Sequence, residues 1–334
     1  NHFPDDGEGN AYKAMRKTHQ ADLRYEGALP GPYRQNYFKE TNASADDWSD
    51  LIELCNVLSN TPDGSYVEEV NRVLDTEQWL RQIAVNVLLS NAEPTLANGN
   101  GDDYYLYRGF NDTRFVLVQH DLDSIFGMGQ NPGSTSADIF LAANLPTINR
   151  FIKHPEFVPR YYYHLKDLIA TTFSPAKMNP LLDELLGDFV APGTIQQMKD
   201  FVVQRNAYVL SRIPSDLTIV SDLPQVSGYY ATDVDVAILY GQADAVKTRS
   251  VRVNGRPAVW YPVDGEWNVA EPQQPNYESL VDRGARWNYF DEYTDLGTDW
   301  YVDVNSSGCA EGDAELGYGD NTETTPIGYI VTNP

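Results

Sequence analysis

The chain has 334 residues, of which 42% are hydrophobic, and this length and apolar content predict two or three globular domains with at least one large core. Its formal net charge of −24, from 48 acidic and 24 basic residues, disfavours phosphate backbones and anionic lipid surfaces, so we expect no nucleic acid partner. No apolar run approaches the length of a membrane span. Two distant cysteines, Cys55 and Cys309, provide neither a disulfide framework nor a metal-binding spacing.

The first residues, Asn-His-Phe-Pro, are neither an initiating methionine nor a signal peptide, and we therefore expect a fragment or a processed product. Residues 1–45 contain scattered Gly, Pro and Asn without a long periodic segment, which is typical of loops. From Asp46 onwards the apolar residues recur at helical spacing. The segment DTEQWLRQIAVNVLLSN predicts a largely buried helix, with Asp75 as its N-cap and Gln78 completing a capping box.

Two strands are predicted next, YYLYRG and RFVLVQHD, joined by the turn residues FNDT. Four amphipathic segments after Gly127 predict a helical block that ends near Pro214. Short strands with turn signals follow. The pair Asn254-Gly255 is the strongest of these signals, because it adopts the positive φ angles of a type I′ turn at low cost.

These changes in period divide the chain into three predicted domains. An α-rich part covers residues 1–215, and a small β-sandwich-like module covers residues 216–272. Residues 276–334 contain further aromatic, glycine-rich, strand-like pieces such as GARWNYFDEY and AELGYGD. We expect this last module to be partial, because no closing element follows them.

The segment RFVLVQHDLDSIFG carries two aspartates, Asp121 and Asp123, at the end of a predicted strand. Residues i and i+2 of a strand point to the same side, so the two carboxylates can converge. Converging carboxylates repel each other unless a cation or a proton lies between them, and their hard oxygen atoms favour Mg²⁺ or Ca²⁺. An EF-hand is unsuited because Pro132 stands where its final glutamate would be. The alternative is that Asp123 caps a helix starting near Ser124.

The loop before the predicted hairpin adds Glu93, Asp102 and Asp103. Asp103 precedes the first strand and Asp121 follows the second, and a hairpin brings these two ends to the same edge. Together with Asp123 these carboxylates would form one polar cleft, which suits metal-bound phosphate chemistry. A solvated acidic connector is the alternative interpretation of this loop.

Several segments resemble the spore coat protein H (CotH) kinase family, an atypical group with a protein-kinase-like fold. They occur in the order that this family shows: GEGNAYK, ADLRYEG, LDTEQWLRQIAVNVLLSN, DDYYLYRG and FVLVQHDLDSIFG. The resemblance covers residues 1–215 and is most specific in YYLY followed by HDLDSIFG. It implies an α+β fold. An atypical protein-kinase-like domain, mostly its α-rich C-terminal lobe with a short β-hairpin and with an incomplete N-terminal lobe, would precede small β-sandwich modules.

The same resemblance implies roles for four acidic residues. Asp121 would be the principal metal ligand and would correspond to the aspartate of the kinase Asp-Phe-Gly motif. Asp123 would be a second metal ligand or would orient Asp121. Asp103 takes the place of the metal-binding Asn, and Glu93 that of the catalytic Asp that positions the acceptor hydroxyl. The chain departs from the family pattern in having Glu at position 93. It also has 103 − 93 = 10 residues between these positions, against about five in kinases.

The resemblance further implies ATP, with Mg²⁺ or Mn²⁺, and a cation that holds the phosphates. Lys13 and Arg16 in the segment AYKAMR are the cationic candidates, and the alternative for each is an ordinary surface cation. His120, next to Asp121, is interpreted as a supporting or packing residue and not as a catalyst.

The C-terminal segments have a resemblance of their own. VRVNGRPAVWYPVDGEW looks like the Ig-like modules that follow CotH domains in large secreted bacterial proteins, and SLVDRGARWNYFDE with AELGYGD looks like the opening of a jelly-roll module. Such modules imply spacers or surface-binding units. Their tryptophans, Trp260, Trp267 and Trp287, would stack on sugars if exposed, but buried sandwich positions are the favoured interpretation.

Two hypotheses about function follow from these resemblances. The first is a secreted or cell-surface bacterial protein whose kinase-like domain transfers phosphoryl from ATP to Ser or Thr of a partner protein, with Mg²⁺ or Mn²⁺. The second is a catalytically silent CotH-like scaffold whose β modules contact a cell surface or a polysaccharide. Nucleotide binding separates the two.

Overall fold

A computed structural model describes residues 3–15, 21–94, 96, 102–230, 238–269, 284–290, 309–314, 316–317 and 324–326. The chain forms two compact units, Asn1–Pro272 and Gln273–Pro334. The described residues have a mixed α/β fold that consists of helices and small, mainly antiparallel sheets.

The described residues of the first unit contain eight α-helices. They are α1 (Tyr33–Asn36), α2 (Ser49–Asn60), α3 (Asp63–Val73), α4 (Thr76–Leu89), α5 (Pro146–Ile152), α6 (Val158–Ala170), α7 (Pro175–Leu186) and α8 (Pro192–Arg212). Each of the last four has a proline in its first turn, where the missing N–H costs nothing because that turn has no intrahelical acceptor for it. None of the described helices is both long and apolar enough to cross a membrane.

A four-stranded antiparallel sheet lies beside these helices. Its strands are β1 (Asn10–Ala14), β2 (Tyr37–Lys39), β3 (Tyr104–Arg108) and β4 (Phe115–Gln119), in the order β2-β1-β3-β4. The predicted hairpin of β3 and β4 is confirmed, with Tyr104 opposite Gln119. The prediction that residues 1–45 are loops is wrong, because β1 pairs with both β2 and β3. The expected short hairpin is therefore one half of a larger sheet.

The sequence carries no strand signal at β1, because this strand has only five residues and its apolar residues, Ala11, Tyr12 and Ala14, do not alternate regularly with polar ones. Tyr12 and Ala14 are fully buried on the side of β1 that faces the core, whereas Lys13 lies on the opposite side. The Tyr12 hydroxyl donates to Asp50 of α2, so this strand is tied to the helices by a polar contact as well. Such contacts join residues far apart in the chain and leave no local periodic signal.

The N-terminus of α4 confirms one half of the predicted capping box and corrects the other. The Asp75 carboxylate accepts from the Gln78 N–H at 3.1 Å, as an N-cap should. The Gln78 side chain does not reach back to Asp75. Its amide instead accepts from the Leu117 N–H at 2.9 Å and donates to the Leu117 carbonyl at 2.7 Å. Strand β4 is at the edge of the sheet, and Gln78 pairs its free backbone groups.

This contact gives a prediction for stability. Gln78→Ala is expected to lower the free energy of unfolding by about 2 kcal/mol, because both backbone groups of the buried Leu117 lose their partner. Gln196→Ala, at an exposed position of α8, is the matched control, with an expected change within about 0.5 kcal/mol. Urea unfolding of the three proteins measures both values. Equal stability of Gln78→Ala and wild type would contradict the proposed pairing of the edge strand.

The helices and the sheet share one core around Trp79 of α4. The indole ring is fully buried and meets Phe151 of α5 edge-on, with 6.1 Å between ring centroids. Its Nε1 donates to the Phe115 carbonyl of β4 at 2.8 Å. Trp79 therefore fixes the position of the hairpin relative to the helices.

Short strands follow the helices in the first unit. They are β5 (Val220–Ser221), β6 (Gln225–Val226), β7 (Tyr229–Tyr230), β8 (Leu239–Gln242), β9 (Arg252–Val253), β10 (Arg256–Pro257), β11 (Val259–Tyr261) and β12 (Glu266–Asn268). Four of them form an antiparallel sheet in the order β11-β12-β8-β5. The predicted hairpin at Asn254-Gly255 is confirmed, since β9 and β10 pair across it and both turn residues have positive φ, 50° and 79°.

These strands contact the helices of the same unit. The Tyr162 hydroxyl of α6 donates to the Val263 carbonyl at 2.6 Å, and Ala245 is fully buried in the common core. The compact unit accordingly extends to Pro272. A domain boundary at residue 215 within this unit stays a prediction.

The second unit contains two strand pairs among its described residues. Strands β13 (Arg286–Tyr289) and β14 (Ala310–Asp313) are antiparallel, and β15 (Leu316–Gly317) pairs with β16 (Thr325–Pro326) in parallel. Trp287 of β13 is 44% exposed. In the first unit, Trp267 is only 4% exposed and Trp260 is half-buried. The interpretation as a buried tryptophan therefore holds for Trp267 and not for Trp287.

Candidate metal centre

The hairpin of β3 and β4 brings the candidate residues to one place. Asp103 directly precedes β3, and His120 and Asp121 directly follow β4. Because Tyr104 is opposite Gln119, the residues just outside this pair meet at the same end of the hairpin. The sequence prediction that Asp103 and Asp121 share an edge is thus borne out by the register.

The side chains form a compact cluster. One ligand atom from each of Asp103, His120 and Asp121 lies within 4.8 Å of the other two. His120 Nδ1 is 3.3 Å from Asp103 Oδ1, and the two side chains are 32% and 20% exposed. Asp121 is exposed. The cluster is therefore open to solvent on one side, which an exchangeable ligand requires.

The charges of the cluster repel one another. The pKa of Asp103 is raised, first by burial of its carboxyl group and then by the negative charges of Asp102 and Asp121. His120 lowers the pKa of Asp103, and the negative charge of Glu93 raises it further. A bound cation would remove this repulsion.

The donor atoms fit a divalent ion. Two carboxylates and one imidazole converge, and His120 Nδ1 is a buried polar atom without a hydrogen-bond partner among the described residues. Buried polar atoms are nearly always paired, and a cation held by His120 and Asp103 would provide the missing partner. The residues therefore fit the metal that the sequence analysis expected.

The backbone at the cluster has an uncommon conformation. Asp103 and Asp121 have positive φ, 20° and 46°, although neither is glycine. Aspartate tolerates this region better than most residues, but it still carries a conformational cost. At Asp121 the positive φ ends the alternation of the strand, so residues 121 and 123 do not point to the same side.

Asp123 consequently does not join the cluster. Its carboxylate accepts from the Ser124 hydroxyl at 3.1 Å, and its N–H donates to the Asp121 carboxylate at 3.3 Å. The alternative that Asp123 caps a helix is wrong, because no helix begins at Ser124. The chain instead folds back, and a Cβ added at Gly129, where φ is +91°, would lie 2.1 Å from the Asp123 carbonyl oxygen.

Asn91 connects the end of α4 to the cluster. Its side chain is 3% exposed and donates to the Asp121 carbonyl and to the Asn86 amide oxygen, both at 3.2 Å. Its own amide oxygen accepts from the Glu93 N–H. Asn91 is not among the site residues predicted from the sequence, because its contact with Asp121 exists only in the tertiary structure.

Glu93 lies near the cluster without belonging to it. Its carboxylate accepts from the Asn131 side chain at 3.0 Å. A β-bridge between Pro94 and Asp102 holds the residue after Glu93 beside the start of β3. The assignment of Glu93 as a catalytic residue stays a prediction.

Lys13 lies on the face of the sheet that carries the cluster. It is opposite Tyr105 in the register of β1 and β3, and its Nζ is 5.8 Å from the centre of that ring. Tyr105 also contacts the His120 ring, with 5.1 Å between ring centroids. Arg16, the second predicted cation, lies outside the described residues.

A cavity of about 460 Å³ opens on the same sheet face. Its lining includes Phe3, Ala11, Tyr105, Tyr107 and Val118, so its walls are largely apolar and aromatic. Tyr105 thus borders the cavity and also contacts His120. A flat organic group and a cation-bound polar group can therefore lie next to each other here.

This structure is an α/β protein with a cluster of two carboxylates and one imidazole at the end of a hairpin, beside an aromatic cavity. The family model for CotH kinase protein matches residues 2–194, more than half of the chain. The chain therefore belongs to the CotH kinase protein family, which confirms the resemblance drawn from its segments.

The chain is also similar to the inner spore coat protein H of Bacillus subtilis (strain 168). It is 25% identical over 145 residues, which are 43% of this chain and 38% of that protein. The match thus spans well under half the length of this relative, and the similarity is distant.

Proposed function

We propose that this protein is an atypical protein kinase that transfers the phosphoryl group of ATP to a serine or threonine of a partner protein, with Mg²⁺ or Mn²⁺. The observation that carries the proposal is the meeting of Asp103, His120 and Asp121 at one end of the hairpin, in a member of the CotH kinase protein family. Phosphoryl transfer depends mainly on positioning and charge stabilisation, so a cation-binding cluster is the first requirement.

Asp103 and Asp121 would hold the divalent ion. Asp123 would orient Asp121, a role that the hydrogen bond from its N–H to the Asp121 carboxylate supports. Asn91 would fix the backbone of Asp121 through its carbonyl. When bound, the ion would neutralise charge on the phosphates.

Lys13 and the cavity would receive the nucleotide. Lys13 would supply the cation that phosphates need, because its Nζ lies 5.8 Å from the ring centre of Tyr105, which borders the cavity and contacts His120. The aromatic wall at Tyr105 suits a planar base. Arg16 is the second candidate for a phosphate contact.

Glu93 would orient the acceptor hydroxyl. The hydrogen bond from Asn131 to one of its oxygens would hold the carboxylate in place. A carboxylate in this role works by position, and a displacement of about 1 Å costs on the order of a hundredfold in rate.

The architecture and location complete the proposal. The helices and hairpin would correspond to a kinase-like C-terminal lobe, and the two β regions to Ig-like and jelly-roll-like modules. Since the curated relative is described as a spore coat protein, we propose a surface-associated bacterial protein, secreted or on the cell surface. Its partner would be an acceptor protein, and the net charge of −24 argues against nucleic acid.

Nucleotide binding is the direct test. Wild type is expected to gain about 5 °C or more in melting temperature with ATP and Mn²⁺ or Mg²⁺ at about 100 times Kd. ATP with a chelator should give no shift. Incubation with labelled ATP and a generic acceptor protein should then transfer label to Ser or Thr. A wild type that shows no shift with either metal would defeat the kinase proposal.

The silent scaffold is the second candidate. Two observations favour it: Glu93 stands where the family has Asp, and Trp287 is 44% exposed in a β module, where it could contact a polysaccharide. Absence of nucleotide binding together with retention on an insoluble polysaccharide, lost in Trp287→Ala, would support this function.

A further inference from the structure

His120 lies at the centre of the cluster because of the strand that precedes it. Val118 and His120 are two residues apart at the end of β4, and Asp103 and Tyr105 are two apart at the start of β3. The contact between the rings of Tyr105 and His120 puts the imidazole on the same sheet face as Lys13. The Tyr105 ring thus holds the imidazole of His120 in place, and the Nδ1 atom of His120 lies next to Asp103.

The Nδ1 atom of His120 lacks the contact that a supporting histidine would make. A supporting histidine normally donates a hydrogen bond to its carboxylate neighbour. Here Nδ1 is buried, lies 3.3 Å from Asp103 Oδ1, and has no hydrogen-bond partner among the described residues. A nitrogen and an oxygen at such a distance match neighbouring ligands of one ion, which lie about 3 Å apart when each is about 2.1 Å from the metal.

The third ligand is close enough to complete the set. All three ligand atoms lie within 4.8 Å of one another, so small side-chain rotations bring Asp121 into contact with the same ion. Asp121 is exposed, and its carboxylate accepts one long hydrogen bond, from the Asp123 N–H at 3.3 Å. The two aspartates and the histidine come from both ends of one hairpin, which holds them together without a separate loop.

We infer that His120 is a nitrogen ligand of the metal, and that the site therefore prefers a first-row transition ion such as Mn²⁺ to Mg²⁺. This inference rests on the metal role in the proposed function. Mg²⁺ takes oxygen ligands almost exclusively, whereas an imidazole ligand favours first-row transition ions, strongly for Fe²⁺, Ni²⁺, Cu²⁺ and Zn²⁺ and least for Mn²⁺. Mn²⁺ is the weakest binder of the first-row series, so it is the most demanding probe for nitrogen ligation.

The test measures metal binding to the whole chain without nucleotide. Calorimetric titrations with Mn²⁺ and with Mg²⁺ give the affinity ratio, and electron spin-echo modulation of bound Mn²⁺ detects a coordinated ¹⁴N. Wild type is expected to show nitrogen modulation. His120→Asn keeps a polar oxygen near the Nδ1 position, so it should lose the modulation and lower the Mn²⁺ to Mg²⁺ affinity ratio by about tenfold.

His154→Asn is the matched control, because it makes the same chemical change beyond the end of α5, where the His154 ring contacts the Phe157 ring at a tilt of 44°. It should retain both the modulation and the ratio. Circular dichroism melts of both variants exclude loss of folding as the cause. Tight Mn²⁺ binding without nitrogen modulation in wild type would overturn the role of His120 and leave the kinase proposal standing. Failure of wild type to bind either ion at millimolar concentration would overturn both.

Discussion

Asp121→Asn is expected to abolish the metal-dependent stabilisation by ATP and to reduce phosphotransfer by about a hundredfold or more. The substitution replaces an anionic ligand by a neutral amide, so affinity for a hard divalent ion falls. Burial of the Asp103 carboxyl group is the largest cause of its raised pKa, and nearby negative charges are the next. The substitution removes one of these charges, that of Asp121. The metal-free variant should therefore be no less stable than wild type.

Melting temperatures with and without ATP and Mn²⁺ check this prediction. Asp112→Asn is the control, since Asp112 is an exposed aspartate in the turn at the opposite end of the same hairpin. It should keep the full nucleotide-induced shift. If Asp121→Asn also keeps that shift, neither a metal site at Asp121 nor phosphotransfer through it is tenable.

Trp79→Ala is expected to destabilise the protein by about 3–5 kcal/mol, because it leaves a large cavity where the fully buried indole packs against Phe151. Trp79→Phe should cost much less, about 1 kcal/mol. It keeps most of the ring volume, and the Phe115 carbonyl that loses the indole N–H still accepts from the Asp75 N–H at 3.0 Å.

Urea unfolding followed by circular dichroism gives both values. The comparison separates packing from hydrogen bonding, since only the alanine variant removes the ring. A similar loss in the two variants would mean that the hydrogen bond to β4 matters more than the packing. Because Trp79 fixes the hairpin against α4, the alanine variant should also weaken Mn²⁺ binding at the end of that hairpin.

Elements with a local signal could be predicted from the sequence. The apolar spacing of α4, its N-cap Asp75 and the turn at Asn254-Gly255 depend on neighbouring residues only. The resemblance to the CotH kinase family could also be predicted from the sequence, because it depends on short segments and their order. The family match over residues 2–194 confirms this resemblance. The sequence also placed Asp103 and Asp121 at one edge, because a hairpin has only one way to bring the flanks of its strands together.

Contacts between distant segments were decided only by the tertiary structure. Strand β1 pairs with β3, which lies far along the chain. The Gln78 side chain does not complete the cap of its own helix but bonds to the backbone of Leu117 in the edge strand β4. The expected convergence of Asp121 with Asp123 assumed an extended backbone, but Asp121 has a φ of 46°. This left-handed residue turns the chain after the strand, so His120, the last residue to follow the strand's alternation, joins the two aspartates in place of Asp123.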